Sequence, residues 1–427
     1  MNRKRRGGFS ILAAVLAVML ALFLGLLFWL LHGNEEPERI LQGAAGTETL
    51  SVSGQASPPE NSGQDVPGDG SEQPERMENS PVVIIGAEEA GENDGSGSSD
   101  GEGELENSSE EAVPEEEINL LFAGDVFLSS HVLNAYDTAG GIGGVLDEEL
   151  RKVIQASDYF MVNQEFPFSD RGTAAEDKQF TFRLPPSRVH LLQEMGIDMV
   201  TLANNHSLDF GTDALLDTCR TLDEAGIRYV GAGENMARAR QLETVEVKGK
   251  TIGFLGSSRV IPVYDWTAGE QKPGVAITYD PGMLLKDIAA AKQVCDYVVV
   301  YVHWGKEKAV TPEEYQQTMG RQYIDAGADL VIGSHPHVLQ GIEYYQGKPI
   351  VYSLGNFVFG SSIPRTMLLQ AALGKDGVKL SAVPCKSAAG YTQMEKDPEK
   401  TAAFYQELQG LSVHAQVNEA GEITAAE

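Results

Sequence analysis

The chain has 427 residues, with 62 acidic side chains against 32 basic ones, a net charge of −30 and three cysteines. That length allows one large or two ordinary domains. The sign of the charge argues against nucleic acid as a partner. An odd, scattered set of cysteines (Cys219, Cys295, Cys385) excludes a disulfide scaffold and reads as small buried hydrophobes.

Charge and hydropathy divide the chain sharply. Residues 1–8 carry the basic cluster Arg3-Lys4-Arg5-Arg6, and Phe9 to Leu31 is a 23-residue run without a charge. Such a run is long enough to cross a hydrocarbon layer of about 30 Å. The basic flank predicts a cytoplasmic N-terminus and an extracytoplasmic remainder at the cell membrane. An uncleaved anchor at 9–31 fits better than a cleaved signal, because Trp29-Leu30-Leu31-His32 offers no small residues for cleavage. Residues 32–117 are rich in Gly, Ser, Pro, Glu and Asp. From Asn34 to Ile118 there are 23 acidic residues against Arg39 and Arg76, so the segment carries −21; the part from Asn119 onward carries −13. A composition that cannot bury a core predicts a disordered acidic linker over 32–117, ahead of a folded domain at 118–427.

The folded domain opens on Ile118-Asn119-Leu120-Leu121-Phe122-Ala123, an apolar run predicted to be a buried strand and ended by Gly124-Asp125. A helix is predicted over 144–156, then a strand over 159–162 ended by Asn163-Gln164-Glu165. Phe180 to Leu184 alternates as an edge strand would, and a helix follows from Pro185 to Met195. Asp198 to Leu202 is the next strand, followed by Asn204-Asn205-His206, a helix over 211–225 and a strand over 227–230. Segments 242–247 and 251–255 suit a hairpin, and 284–293 a helix. Asp296 to Val302 is the most emphatic buried strand, with His303-Trp304-Gly305 after it; Trp304 is expected to wall a pocket for His303. Thr311-Pro312 reads as a helix start, capped by Thr311. Ala328 to Ile332 is another strand, broken by Gly333-Ser334 into the loop His335-Pro336-His337, where proline stiffens the turn between two imidazoles. Two strands are expected within 367–383, a helix over 398–408, and a frayed tail beyond Val417.

Polar residues recur just after apolar strands, where open α/β sheets place ligands. Asp125, Glu165, Asn205, His206, His303, His335 and His337 are therefore candidates for one centre. Alone, Asp125 is equally a turn residue, Glu165 a surface carboxylate and Asn205 an Asx-turn former. Together, mixed carboxylate, amide and imidazole donors suit one or two divalent ions such as Mn, Fe or Zn. His131, His190 and His414 sit in no comparable setting.

The motifs Gly124-Asp125, Asn163-Gln164-Glu165, Ala203-Asn204-Asn205-His206 with Asp209 and Gly211, His303-Trp304-Gly305, Gly333-Ser334-His335-Pro336-His337 and Ser353-Leu354-Gly355-Asn356-Phe357 stand in an order that resembles the CapA (PgsA) capsule-synthesis family, associated with poly-γ-glutamate and related to calcineurin-like metallophosphoesterases. The resemblance covers 119–359. It implies a four-layer α/β/β/α sandwich of metallophosphatase type. It also implies metal ligation by Asp125, Asn205, His303, His335 and His337, a bridging Glu165, and a His206 that meets the phosphate or leaving group. Implied partners are an anionic polymer such as poly-γ-glutamate and membrane synthase subunits. Phe127 departs from the Asp-x-His of the phosphoesterases, and Glu165 stands where they carry Asp. Three readings stay open: a metal-dependent hydrolase or transferase of capsule synthesis, a non-catalytic polymer-binding or assembly subunit, and a general metallophosphoesterase.

Overall fold

A computed structural model describes residues 116–426. The basic tail, the anchor at 9–31 and almost all of the linker at 32–117 lie outside the described residues. Among the described residues no helix is long and apolar enough to cross a membrane.

The strand-helix alternation expected from sequence builds two sheets. Strands β1 (Ile118–Val126), β2 (Tyr159–Gln164), β3 (Met199–Thr201) and β4 (Arg228–Val230) lie side by side and parallel. Helices α1 (Ser130–Ala139), α2 (Glu148–Gln155), α3 (His190–Glu194) and α4 (Gly211–Ala225) connect them. β5 (Ala232–Gly233) leads into the short helix α5 (Met236–Ala239). The second sheet starts with the antiparallel pair β6 (Glu243–Val247) and β7 (Lys250–Ser258). After β8 (Gly274–Val275), which pairs with β5, and helix α6 (Gly282–Ala291), β9 (Tyr297–His303) joins β7 in parallel. Helix α7 (Glu314–Ala326) then leads to β10 (Leu330–Ser334), and β11 (Ile342–Tyr345) and β12 (Lys348–Val351) complete the order β11-β12-β10-β9-β7-β6. The chain returns to the first sheet through β13 (Asn356–Val358), β14 (Ser362–Gly374), β15 (Gly377–Ala388) and β16 (Tyr391–Met394). Helix α8 (Pro398–Leu411) and the hairpin β17 (Ala415–Val417) and β18 (Glu422–Ala425) follow.

Side-chain alternation along each strand explains the layering. On β1, Leu121 and Ala123 join a core shared with α2 and α4, while Leu120 and Phe122 join a second core. On β9, Val299 and Tyr301 enter that same second core, while Val298, Val300 and Val302 pack with α6 and α7. The two sheets therefore face each other, with helices on their outer faces. Each fully buried Leu, Val or Phe in these layers contributes roughly 1.5–3 kcal/mol. Tyr301 Oη also crosses between the sheets, donating to the Ala123 carbonyl oxygen at 2.8 Å.

Several expectations need correction. Residues 180–184 form no strand: Phe182 N donates to the Asp209 carboxylate at 2.6 Å instead of to a ladder. Helix α7 is capped by Glu313 and Gln316 in a reciprocal capping box, not by Thr311, because these side chains satisfy the free backbone N–H groups. Gly333 and Ser334 belong to β10 itself. Trp304 does not wall His303. Strand alternation turns it to the helical face, where it packs by Tyr323 and Tyr352 and donates to the Tyr352 carbonyl oxygen at 2.9 Å. The tail beyond Val417 is a paired hairpin. The three cysteines are free and buried.

Candidate metal centre

Because the central strands of each sheet are parallel, their carboxyl ends lie along one edge. Asp125 ends β1 in register with Asn163 on β2, which pairs with Thr201 on β3. His303 ends β9 in register with Ser334 on β10, and His335 follows. All seven candidate residues are gathered at this edge: Asp125, Glu165, Asn205 and His206 come from the first sheet and its loops, and His303, His335 and His337 from the second.

Two local features aim these side chains. Register between β1 and β2 shifts between Phe122 and Asp125, which breaks the alternation that placed Leu121 and Ala123 against the helices. Beside it, Gly124 lets β1 approach the turn at Gly355 so closely that a Cβ would lie 1.8 Å from the Gly355 oxygen. His335 and His337 have φ of 96° and 58°, a left-handed backbone costly for residues with a Cβ. Such strain at two imidazoles on one turn marks a site where geometry is held against local preference.

The polar atoms fall into two ligand sets. Glu165, His303 and His335 form one, and Asp125, Glu165 and His337 the other, each with ligand atoms within 4.8 Å of one another. Glu165 is common to both. It is fully buried and neither carboxylate oxygen has a hydrogen-bond partner. Its Oε1 lies 3.6 Å from His303 Nε2 and its Oε2 3.8 Å from His337 Nδ1. His335 Nδ1 is buried and unpartnered as well, and Asp125 Oδ2 accepts no hydrogen bond although it lies 3.1 Å from His337 Nδ1. Buried polar atoms without partners cost about 1–3 kcal/mol each. Four orphan atoms that converge from three side chains fit a site built for cations.

Electrostatics agree. Burial, and then Asp125, hold the Glu165 carboxyl well above its ordinary value. Burial and neighbouring imidazoles push His303 well below its ordinary value, and His335 down to about 4. His337 is opposite: burial alone would lower it, but Glu165 and Asp125 raise it to about 10.

Around these ligands stands a hydrogen-bonded frame. Asn163 Nδ2 donates to Asp125 Oδ1 at 2.8 Å, and Asn204 Nδ2 donates to Asn163 Oδ1 at 3.0 Å. Asn205 Oδ1 lies 2.8 Å from His303 Nε2, Ser334 Oγ lies 3.0 Å from His303 Nδ1, and Asn356 Oδ1 lies 2.8 Å from His337 Nδ1. Such outer partners fix ring orientation at metal centres. His206 sits at the side of the centre, its Nδ1 2.7 Å from Asp209 Oδ2 and its ring stacked on Phe182 at 4.2 Å.

Lys178, which no sequence signal identified, reaches this corner from the loop between β2 and α3. Its ammonium contacts Asp209 Oδ1 and the Asn205 carbonyl oxygen, and lies 3.0 Å from His206 Nδ1 and 5.1 Å from the centre of the Trp266 ring. Asn163, buried inside a strand, was also missed as a frame residue. Phe127, two residues after Asp125, stacks on Phe182 at 4.0 Å and meets Phe359 edge-on at 5.5 Å. Packing thus occupies that position, while Asp125, Glu165 and His337 still form a ligand set beside it.

The sequence profile of the bacterial capsule synthesis protein PGA_cap matches residues 119–361, more than half of the chain. The capsule biosynthesis protein CapA of Bacillus anthracis is 32% identical over 68% of this chain and 75% of its own length. The PGA biosynthesis protein CapA of Bacillus subtilis strain 168 is 32% identical over 72% of this chain and 82% of its own length. Among solved structures, the Haemophilus influenzae NAD nucleotidase is 12% identical with a TM-score of 0.39, over 70% of this chain and 64% of that one. The 5'-nucleotidase of Candida albicans is 11% identical with a TM-score of 0.36, over 64% and 52%. With a profile match over more than half its length and two relatives at this identity, the chain belongs to the bacterial capsule synthesis protein family PGA_cap.

Proposed function

We propose that this is a membrane-anchored, extracytoplasmic protein of capsule or poly-γ-glutamate synthesis or export, working through a two-cation hydrolase or transferase centre. Residues 9–31 are the anchor, 32–117 the spacer, and 118–427 the working domain. Glu165 carries the reading. A fully buried carboxylate with two unpartnered oxygens, shared between two ligand sets, would suit a ligand common to two cations. Asp125 and His337 would help hold one cation; His303 and His335, with Asn205 beside His303, would help hold the other.

When bound, a pair of Mn, Fe or Zn ions would supply Lewis acidity toward a phosphoryl or acyl oxygen and a more acidic coordinated water. The remaining work falls to the chain. With His206 Nδ1–H donating a hydrogen bond to Asp209 Oδ2, Nε2 is left to exchange a proton with a leaving oxygen. Lys178 and Asp209 hold that imidazole in place, and the Phe182 ring covers its face.

The aromatic packing of Phe127 favours a second reading, an assembly subunit that binds the anionic polymer or a membrane synthase through the same edge without turnover. Elemental analysis and phosphodiester hydrolysis on the full chain separate the two. Two ions with chelator-sensitive turnover support the enzyme; bound metal without turnover supports the subunit. His335→Ala combined with His337→Ala should abolish metal content while the protein still melts cooperatively. Retention of two ions by that variant would refute the ligand assignment.

A further inference from the structure

Beside the metal centre lies a cavity of about 150 Å³ to which His337 and Asn356 both contribute. Its other walls are mainly apolar: Val310, Leu339, Ile363, Phe404, Leu408 and Leu411. Most of that apolar wall comes from β14 and α8, beyond the family match that ends at residue 361. A second cavity of about 240 Å³ shares Phe404 and Pro364 with the first and continues the path along α8. Arg365 and Glu407 line both cavities, and they are paired with each other. Lys400, which lines the second cavity, is paired with Asp397 at 3.5 Å, so the cations that line the groove already have acidic partners, and the chain from Asn119 onward is itself net negative.

We infer that the groove formed by β14 and α8 takes the hydrocarbon part of a phosphate ester of a linear apolar alcohol, while its phosphate sits on the metal centre. The inference rests on the metal-centre reading above and adds a ligand class to it. His337 and Asn356 line the groove and belong to the centre, so a bound anion at the metals would have its ester substituent at the groove mouth. An apolar substituent gains by leaving water there; a charged one would lose its hydration without a partner. The C-terminal segment thereby selects the alcohol, and the ligand sets at the sheet edge select the phosphate by its charge.

The test uses the full chain loaded with Mn²⁺ and kept free of detergent micelles, titrated calorimetrically with methyl, butyl and hexyl phosphate. Affinity should rise about fourfold for each methylene added. Val310, 51% exposed at the groove, is the residue to change. Val310→Asp and Val310→Trp should both flatten the chain-length series while leaving metal content and methyl phosphate affinity unchanged. Equal wild-type affinity for methyl and hexyl phosphate overturns the groove assignment and leaves the metal centre standing. A chain-length slope that survives both variants also overturns it, since the alkyl group would then lie elsewhere. Failure to retain metal refutes the metal-centre reading, and the groove assignment falls with it. Metal retained without binding of any of the three esters overturns the ligand class alone.

Discussion

Glu165 has no donor for either oxygen, and burial beside Asp125 makes its ionised form costly while no cation is present. Stability is sacrificed here for a site that a cation completes. The consequence is a change of sign. Under chelation, Glu165→Gln should melt higher than the wild type, by about 1–2 kcal/mol in stability, because a buried carboxyl without a hydrogen-bond donor is replaced by a neutral group. With Mn²⁺ the order should reverse, since only the wild type keeps both ligand sets. Thermal melts with and without chelator decide it, and a variant less stable in both conditions would show that Glu165 is a packing residue. Gly333 offers a residue-scale test on the opposite sheet. A Cβ there would sit 2.1 Å from the Tyr352 oxygen and 2.5 Å from Trp304 Nε1. Gly333→Ala should therefore lower the melting temperature and, by displacing the turn that carries His335 and His337, reduce metal content; unchanged values of both would contradict the close packing.

The loop from Phe166 to Leu184 is the element that carries Lys178 and Phe182 to His206. Its hold on the fold runs through two aspartates. Asp209 accepts from Phe182 N, and Asp217 on α4 accepts from Arg171 Nε at 2.9 Å and from Ser169 Oγ at 2.7 Å. The Arg171 hydrogen bonds hold the Asp217 carboxyl below its ordinary value. A depressed folded value means stability that is present above the unfolded value of about 3.9 and is lost as pH falls through the folded one. Asp217→Asn should cost about 1 kcal/mol at neutral pH, discounted because Arg171 and Arg220 are 53% and 60% exposed. Its stability should also fall less than the wild type's between pH 5 and pH 2, as read by denaturant unfolding across about that range. Parallel pH curves would remove Asp217 from the account. This loop was also the least legible part of the sequence. Phe180-Thr181-Phe182 alternates like a strand, yet its backbone is satisfied by an aspartate that lies 27 residues further on, a partner that periodicity does not encode. The strand ends were legible for the opposite reason. Runs such as Val298-Val299-Val300-Tyr301-Val302 can only be buried on both faces, so the first polar residue after them must stand at the sheet edge.

At the scale of the molecule, the centre joins two sheets that otherwise meet through apolar side chains and contacts such as that of Tyr301 with the Ala123 carbonyl. Sequence order alone showed that His303, His335 and His337 followed strands. That these strands belong to a different sheet from those before Asp125 and Glu165 follows only from the crossover at β6 and the return at β13. A cation held by Glu165 and His303, or by Asp125 and His337, is thus a link between layers. Metal that binds only the native state adds stability by mass action, about 2.7 kcal/mol at a free concentration one hundred times the dissociation constant. Because the ligands are divided between the sheets, removing it should loosen both at once. Hydrogen exchange after chelation should rise together at the ends of β1 and β2 and at the ends of β9 and β10, while β15 and the edge strand β6 stay as they were. Faster exchange confined to β9 and β10 would mean that the second sheet alone holds the metal, leaving Asp125 and Glu165 as bystanders.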